Sequence, residues 1–176
     1  EYTYNECTAR EINLGLDLKG GMNVTLEVSV KDVIRAMSNY SKDEAFNAAI
    51  ASATAQQRDS QDDFVTLFGS AFEEIDPNAK LASIFYTPEL KDLIQTSSSN
   101  QEVINVIREE VEEAINRSFN VLRTRIDRFG VAQPNIQRLE GSGRILIELP
   151  GVKEPERVRR LLQGTAQLEF WETFEN

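Results

Sequence analysis

The chain contains no histidine and one cysteine, Cys7, among its 176 residues. A single cysteine excludes an internal disulfide framework. Without histidine, the usual zinc sites and histidine-based acid–base or triad chemistry are not available. No stretch of the sequence assembles a nucleophile, a base and an oxyanion donor. The sequence therefore predicts no catalytic residue, no metal site and no cofactor.

Long apolar runs are also missing. No run approaches the roughly 18 to 20 residues that a membrane-spanning helix needs, and no signal peptide is recognisable. Glu1 is not a natural start, so the sequence is expected to be a fragment of a longer protein. The missing membrane segment then says nothing about the parent protein.

The chain is acidic, with a net charge of −10, which argues against a nucleic-acid partner. The charge is uneven, because residues 117–160 hold ten Lys/Arg against five Asp/Glu. This basic zone could meet anionic lipid or an acidic partner. The favoured interpretation is that Arg123, Arg125 and Arg128 stabilise the negative end of their own helix.

The first regular pattern is a strand. Apolar residues alternate with polar ones from Met22 to Val30, which is the period of a strand with one buried face. Helical spacing follows in residues 31–99. Capping patterns at Ser41 and Ser60 predict two helix starts, and Thr87-Pro88-Glu89 predicts the start of a short helix.

Ser99 and Glu102 form a further capping box, which opens a long amphipathic helix to Phe129. Gly130 is the expected C-terminal cap, and Pro134 requires the chain to have left the helix. Two strands joined by a turn at 140–143 follow, then a helix over 154–164 and a strand over 166–170. The residues predicted to face inward in that last helix are Val158, Leu161 and Leu162.

The order of elements is β-α-β-β-α-β once the helical insertion is set aside. The sequence therefore predicts an α+β fold with a ferredoxin-like antiparallel sheet and a helical insertion after the first strand. Residues 1–30 and 100–176 are expected to form the base, and 31–99 the insertion. Two helices cover one sheet face. Leu146 and Trp171 are the apolar residues on the other, where they mark a possible interface or ordinary edge packing.

Two local features of the sequence could have a function. Asp17-Leu18-Lys19-Gly20-Gly21 resembles a phosphate-binding loop, but its glycines precede a strand and the P-loop spacing is absent. A bend or domain junction is the favoured role. The second feature is an apolar face in the insertion, interpreted as core more readily than as a chaperone-like groove. It comprises Phe64, Phe68, Phe72 and Phe85.

Four blocks together resemble SecD, the accessory membrane subunit of the bacterial protein-export translocase. They are LGLDLKGGMNVTLEV at 14–28, LRTRIDRFGVAQPNIQR at 122–138, RILIELPGV at 144–152 and TAQLEF at 165–170. Gln133 departs from the family pattern, which often has glutamate before the proline. The residues that carry the family motif or a junction are Asp17, Lys19, Gly20, Gly21, Gly130, Pro134, Pro150 and Gly151.

The resemblance implies that these blocks form the base of the first large periplasmic domain of an inner-membrane protein. It implies SecF, a SecY-type channel complex and a translocating unfolded preprotein as partners, with the proton motive force as energy source. This piece would be a non-catalytic base that couples membrane motion to a substrate-holding head. The alternatives are a ferredoxin-like regulatory module that binds a small effector and, with least support, an enzyme.

Overall fold

A three-stranded antiparallel sheet and six helices make up the described part of the chain. The computed structural model describes residue 3 and residues 20–130, 133–139 and 143–164. The predicted last strand, 166–170, lies outside these residues. In chain order the elements are β1 (Gly21–Glu27), α1 (Val30–Met37), α2 (Glu44–Gln56), α3 (Phe64–Ile75), α4 (Leu81–Phe85), α5 (Asn100–Phe129), β2 (Asn135–Leu139), β3 (Arg144–Pro150) and α6 (Pro155–Gln163).

The strands lie in the order β1-β3-β2. Ile145, Ile147 and Leu149 of β3 are fully buried, which confirms the predicted alternation. β1 also alternates, with Met22 buried, but it ends at Glu27 and not at Val30 as predicted. The reason is local, because the Ser29 side chain caps α1 by accepting a hydrogen bond from the Asp32 backbone N–H.

Two of the three predicted capping serines do not cap their helices. Asp43 caps α2 and Asp63 caps α3, each accepting a hydrogen bond from a backbone N–H three residues later. Aspartate competes well with serine at this position, and it stood closer to the first helical residue. Ser60 instead accepts from the Asp62 backbone N–H.

The capping box at Ser99 is confirmed in the structure. The Glu102 carboxylate accepts hydrogen bonds from the Ser99 backbone N–H at 2.7 Å and from the Ser99 hydroxyl at 3.0 Å. These bonds lower the pKa of Glu102 despite a small opposing effect of burial. The helix that follows, α5, runs 30 residues without a break, as predicted.

Two other predictions about helices are wrong. Residues 88–93 form turns, with Leu93 N–H bonded to Leu90 O, and not a helix that starts at Pro88. The helix in that region is α4, whose Leu81 N–H donates to the Asn100 side chain. In α6, Val158 and Leu162 are buried but Leu161 is 39% exposed.

By contacts the chain divides into two compact units. The motif unit comprises Glu1–Val24, Leu122–Ile136 and Ile147–Asn176, and the helical unit comprises Thr25–Val121 and Gln137–Leu146. The large hydrophobic cluster, which runs from Ile34 to Ile115, belongs to the helical unit. Its phenylalanines include Phe64, Phe68, Phe72 and Phe85, so the prediction that this face is core is confirmed.

Candidate functional site

The motif unit brings two sequence blocks together at the ends of neighbouring strands. Gly20 and Gly21 precede and begin β1, while Pro150 ends β3 and Gly151 follows it. The Gly151 backbone N–H donates a hydrogen bond to the Gly20 carbonyl at 2.9 Å. We call these four residues the glycine junction. The junction joins residues that lie far apart in the sequence.

Backbone conformation favours glycine at three of these positions, and Gly21 has φ +143°. Gly20 has φ +66° and Gly151 has φ +71°, a left-handed region that favours glycine. A Cβ atom built at either residue would meet no atom within 4 Å. Glycine is therefore favoured at Gly20 and Gly151 because of the backbone turn, since a side chain would have room at either residue. Such a turn is what a structural junction at these strand ends would need.

The other predicted motif residues lie elsewhere or outside the described residues. Gly130 follows α5 with φ +71°, as a C-terminal cap should. Pro134 is half-buried and precedes β2, and Leu146 is half-buried in β3. Asp17, Lys19 and Trp171 lie outside the described residues. The structure thus assembles Gly20, Gly21, Pro150 and Gly151, and places Gly130 and Pro134 in the α5–β2 connection.

Sequence reasoning missed a polar anchor between β2 and α5 in the helical unit. The Arg138 guanidinium donates to the Glu112 carboxylate at 2.5 Å and also to the Asn116 side chain. Glu112 and Asn116 are four residues apart and therefore share one face of α5. The available signal was this spacing together with Arg138 at the end of a family block. Nothing in the sequence specified that the strand would lie beside that helical face.

Arg125 also has a role that differs from the prediction. Its guanidinium donates to the Gly164 carbonyl at 2.5 Å and to the Leu161 carbonyl at 3.4 Å. These carbonyls are at the C-terminal end of α6, where a cation is favoured. Arg125 therefore caps a neighbouring helix of the motif unit, whereas the sequence suggested that it would serve only α5.

A cleft of about 490 Å³ lies in the helical unit. Its wall includes two arginines with carboxylate partners. Arg144 Nε lies 3.1 Å from a Glu27 carboxylate oxygen, and Arg108 donates to the Thr66 hydroxyl at 2.9 Å. The remaining lining residues include Val30, Gln57, Ser60, Gln61, Asp62, Phe64, Val65, Val111, Glu112 and Ile115.

Asp63 is the most strongly held carboxylate of the cleft. Partial burial raises the pKa of its carboxyl, but hydrogen bonds from the Thr66 hydroxyl and backbone and the charge of Arg108 outweigh this. The net effect is to lower the pKa below its usual range. The ionised form of Asp63 is therefore favoured, which suits its role as the cap of α3.

Residues 20–130, 133–139 and 143–164 contain no cluster of acidic residues able to hold a metal ion. In the same ranges no helix has the length and apolar character needed to span a bilayer.

Two known family models match parts of the chain. Residues 115–174 match the family described as "Protein translocase subunit SecDF, P1 domain, N-terminal", and residues 8–31 match "SecD/SecF GG Motif". The second match contains Gly20 and Gly21, and the first contains Pro150 and Gly151. The glycine junction is thus built from both matched regions. The chain belongs to the SecD family.

Curated relatives extend the match over nearly the whole chain. A protein translocase subunit SecD from Rhodothermus marinus is 46% identical over 168 residues, covering 96% of this chain and 26% of the relative. SecD proteins from Calditerrivibrio nitroreducens and Escherichia coli K12 are 35% and 30% identical, covering 95% and 92% of this chain. The chain spans 33% and 27% of those two relatives. No solved structure matches.

Proposed function

We propose that this chain is the non-catalytic base of the first periplasmic domain of a SecD-type subunit that assists protein export. In this proposal the base transmits motion of the membrane domain, driven by the proton motive force, to a head that holds the unfolded preprotein. SecF and a SecY-type channel complex are its partners, and the parent protein resides in the inner membrane. The relatives are named protein translocase subunit SecD, and this name supports a role in protein translocation.

The observation that carries the proposal is the glycine junction. Two backbone turns meet there, one from each matched region, and a backbone hydrogen bond joins the ends of β1 and β3. Glycines with positive φ at paired strand ends are suited to fixing backbone geometry. A scaffold is the role that this arrangement supports.

We also propose that the fold is ferredoxin-like, with residues 1–30 and 100–176 as the base and 31–99 as the insertion. The strand order β1-β3-β2 agrees with a topology in which the first and third strands are central.

The experiment that tests the export role uses the full-length parent protein. Gly151→Val strains a left-handed turn, whereas Gly151→Asn is the matched control, because asparagine tolerates that conformation. We expect Gly151→Val to reduce proton-gradient-dependent export of a preprotein into membrane vesicles, and Gly151→Asn to retain most of it. Equal export by both variants, at equal protein levels, would contradict a role for the junction.

A second candidate function is a regulatory module that binds a small effector, and the helical-unit cleft is the observation that favours it. The cleft combines apolar walls with Arg108, Gln57 and Gln61, a mixture typical of small-molecule sites. A panel of metabolites tested by thermal shift would identify an effector, and Arg108→Ala should abolish that shift while Arg58→Ala retains it. If no compound shifts the melting temperature, the module hypothesis is rejected.

A further inference from the structure

The last turns of α5 and the end of α6 form one surface in the motif unit. The two hydrogen bonds of Arg125 to α6 carbonyls bring the helices together. Arg128 lies one turn beyond Arg125 on α5, and Arg157, Arg160 and Leu161 share one side of α6 through their three- and four-residue spacing. We call these five residues the basic surface.

The basic surface lies among described residues whose net charge is positive, whereas the described residues of the helical unit are net negative. The described residues of the motif unit carry seven Lys/Arg and four Asp/Glu, whereas those of the helical unit carry ten and seventeen. Arg128 and Arg160 are exposed, and neither forms an ion pair within the part of the chain that the structure describes. Their charges are available to a partner.

An exposed leucine accompanies these cations. Leu161 is 39% exposed and lies next to Arg160, while the neighbouring Val158 and Leu162 supply the buried side of α6. If these arginines only stabilised the helix ends, no exposed apolar side chain would be needed beside them. Arginines around an exposed aliphatic group are typical of a surface that meets a lipid interface, where charge and apolar contact both contribute.

We propose that the basic surface binds the anionic headgroups of a phospholipid membrane, with Leu161 entering the interface. An anionic membrane offers diffuse negative charge, which matches the exposed guanidinium groups of Arg128 and Arg160. The net charge of −10 does not prevent this, because screening limits each exposed charge to about 8 Å at physiological salt. The proposal goes beyond the export role and does not depend on it.

Vesicle binding by the 176-residue chain tests this proposal. The chain should sediment with phosphatidylglycerol vesicles, much less with phosphatidylcholine vesicles, and lose the difference in about 0.5 M NaCl. Each arginine near an anionic surface changes partitioning by roughly fivefold, so Arg128→Ala with Arg160→Ala should weaken binding by roughly 25-fold. Leu161→Ser should weaken binding by a few-fold, and less than the double arginine variant does.

The matched control removes two exposed cations from the helical unit, Arg58→Ala with Lys91→Ala. The control has the same net charge as the double arginine variant and should bind within about twofold of the unaltered chain. Equal losses in the two double variants would show a non-specific charge effect and overturn the proposal. Failure of the unaltered chain to bind phosphatidylglycerol vesicles would also overturn it. Circular dichroism of each variant verifies that it is folded.

Discussion

The two compact units are stabilised by different means. The helical unit has a dense apolar cluster in which Phe46 packs edge-to-face against Phe68 and Phe85, with ring centroids 5.6 and 5.9 Å apart. The buried side chains described in the motif unit are aliphatic or methionine. Its glycine junction is held by a backbone hydrogen bond between Gly151 and Gly20. Bulk packing thus stabilises one unit, while a few backbone conformations define the other.

The largest expected effect is on the helical unit. Phe68 is fully buried and contacts both Phe46 and Phe72, so Phe68→Ala should lower the free energy of unfolding by about 3–5 kcal/mol. Urea unfolding followed by circular dichroism measures this. Tyr86→Ala, at a residue 53% exposed, is the control and should change stability by less than about 0.5 kcal/mol. A loss under about 1 kcal/mol for Phe68→Ala would contradict the dense-core description.

The motif unit should respond to backbone strain. Gly151→Ala forces a non-glycine residue to φ +71° and should cost about 1–2 kcal/mol, although the added methyl group meets no atom. Hydrogen exchange should show faster exchange at the Gly20 and Gly151 strand ends and little change around Phe68. Uniform acceleration through both units would show that the two are not separately stabilised.

The Asp63 cap of α3 makes the stability of the helical unit depend on pH. Asp63→Ala should cost about 1 kcal/mol at pH 7. Because the pKa of Asp63 is lowered in the folded chain, its charge stabilises the fold above pH about 4, and this part is lost as pH falls through the folded pKa. The difference between Asp63→Ala and the unaltered chain should therefore shrink in acid. Asp62→Ala, at the exposed neighbouring residue, is the control and should change stability at pH 7 by less than about 0.5 kcal/mol.

The smallest effect is expected at a buried polar atom of the helical unit. The Thr87 hydroxyl oxygen is buried and, among the described residues, has no hydrogen-bond partner. Thr87→Val keeps the shape and removes the unsatisfied group, so it should leave stability unchanged or raise it by up to about 1 kcal/mol. Thermal unfolding measures this. A clear loss of stability would show that the hydroxyl has a partner after all.

Patterns with a strong local cause were predictable. The alternation in β3, the Ser99–Glu102 capping box and the glycine after α5 each follow from a few neighbouring residues, and all three are confirmed. Choices between near-equal local options were not predictable. Ser41 and Asp43 are both good caps two residues apart, and the structure uses Asp43.

Long-range contacts were beyond the reach of sequence reasoning. The bond of Arg138 to Glu112 and that of Arg125 to Gly164 depend on which helix face meets which element, and no residue pattern states this. The family blocks indicated that Gly20 and Gly151 matter, but their direct hydrogen bond became visible only with the fold. Leu161 was predicted as core because helical spacing allowed it, and tertiary packing placed it outside.

The bond between Gly20 and Gly151 also sets an order of folding during synthesis. The two residues are separated by roughly 130 positions, and β1 pairs with β3 in the described sheet. A ribosome that adds about 5–20 residues per second leaves β1 without this neighbour for roughly 7 to 26 seconds. The helices α1 to α4 emerge during that interval and need only local contacts to begin folding. β1 therefore completes its pairing with β3 only after the residues between the two strands have emerged.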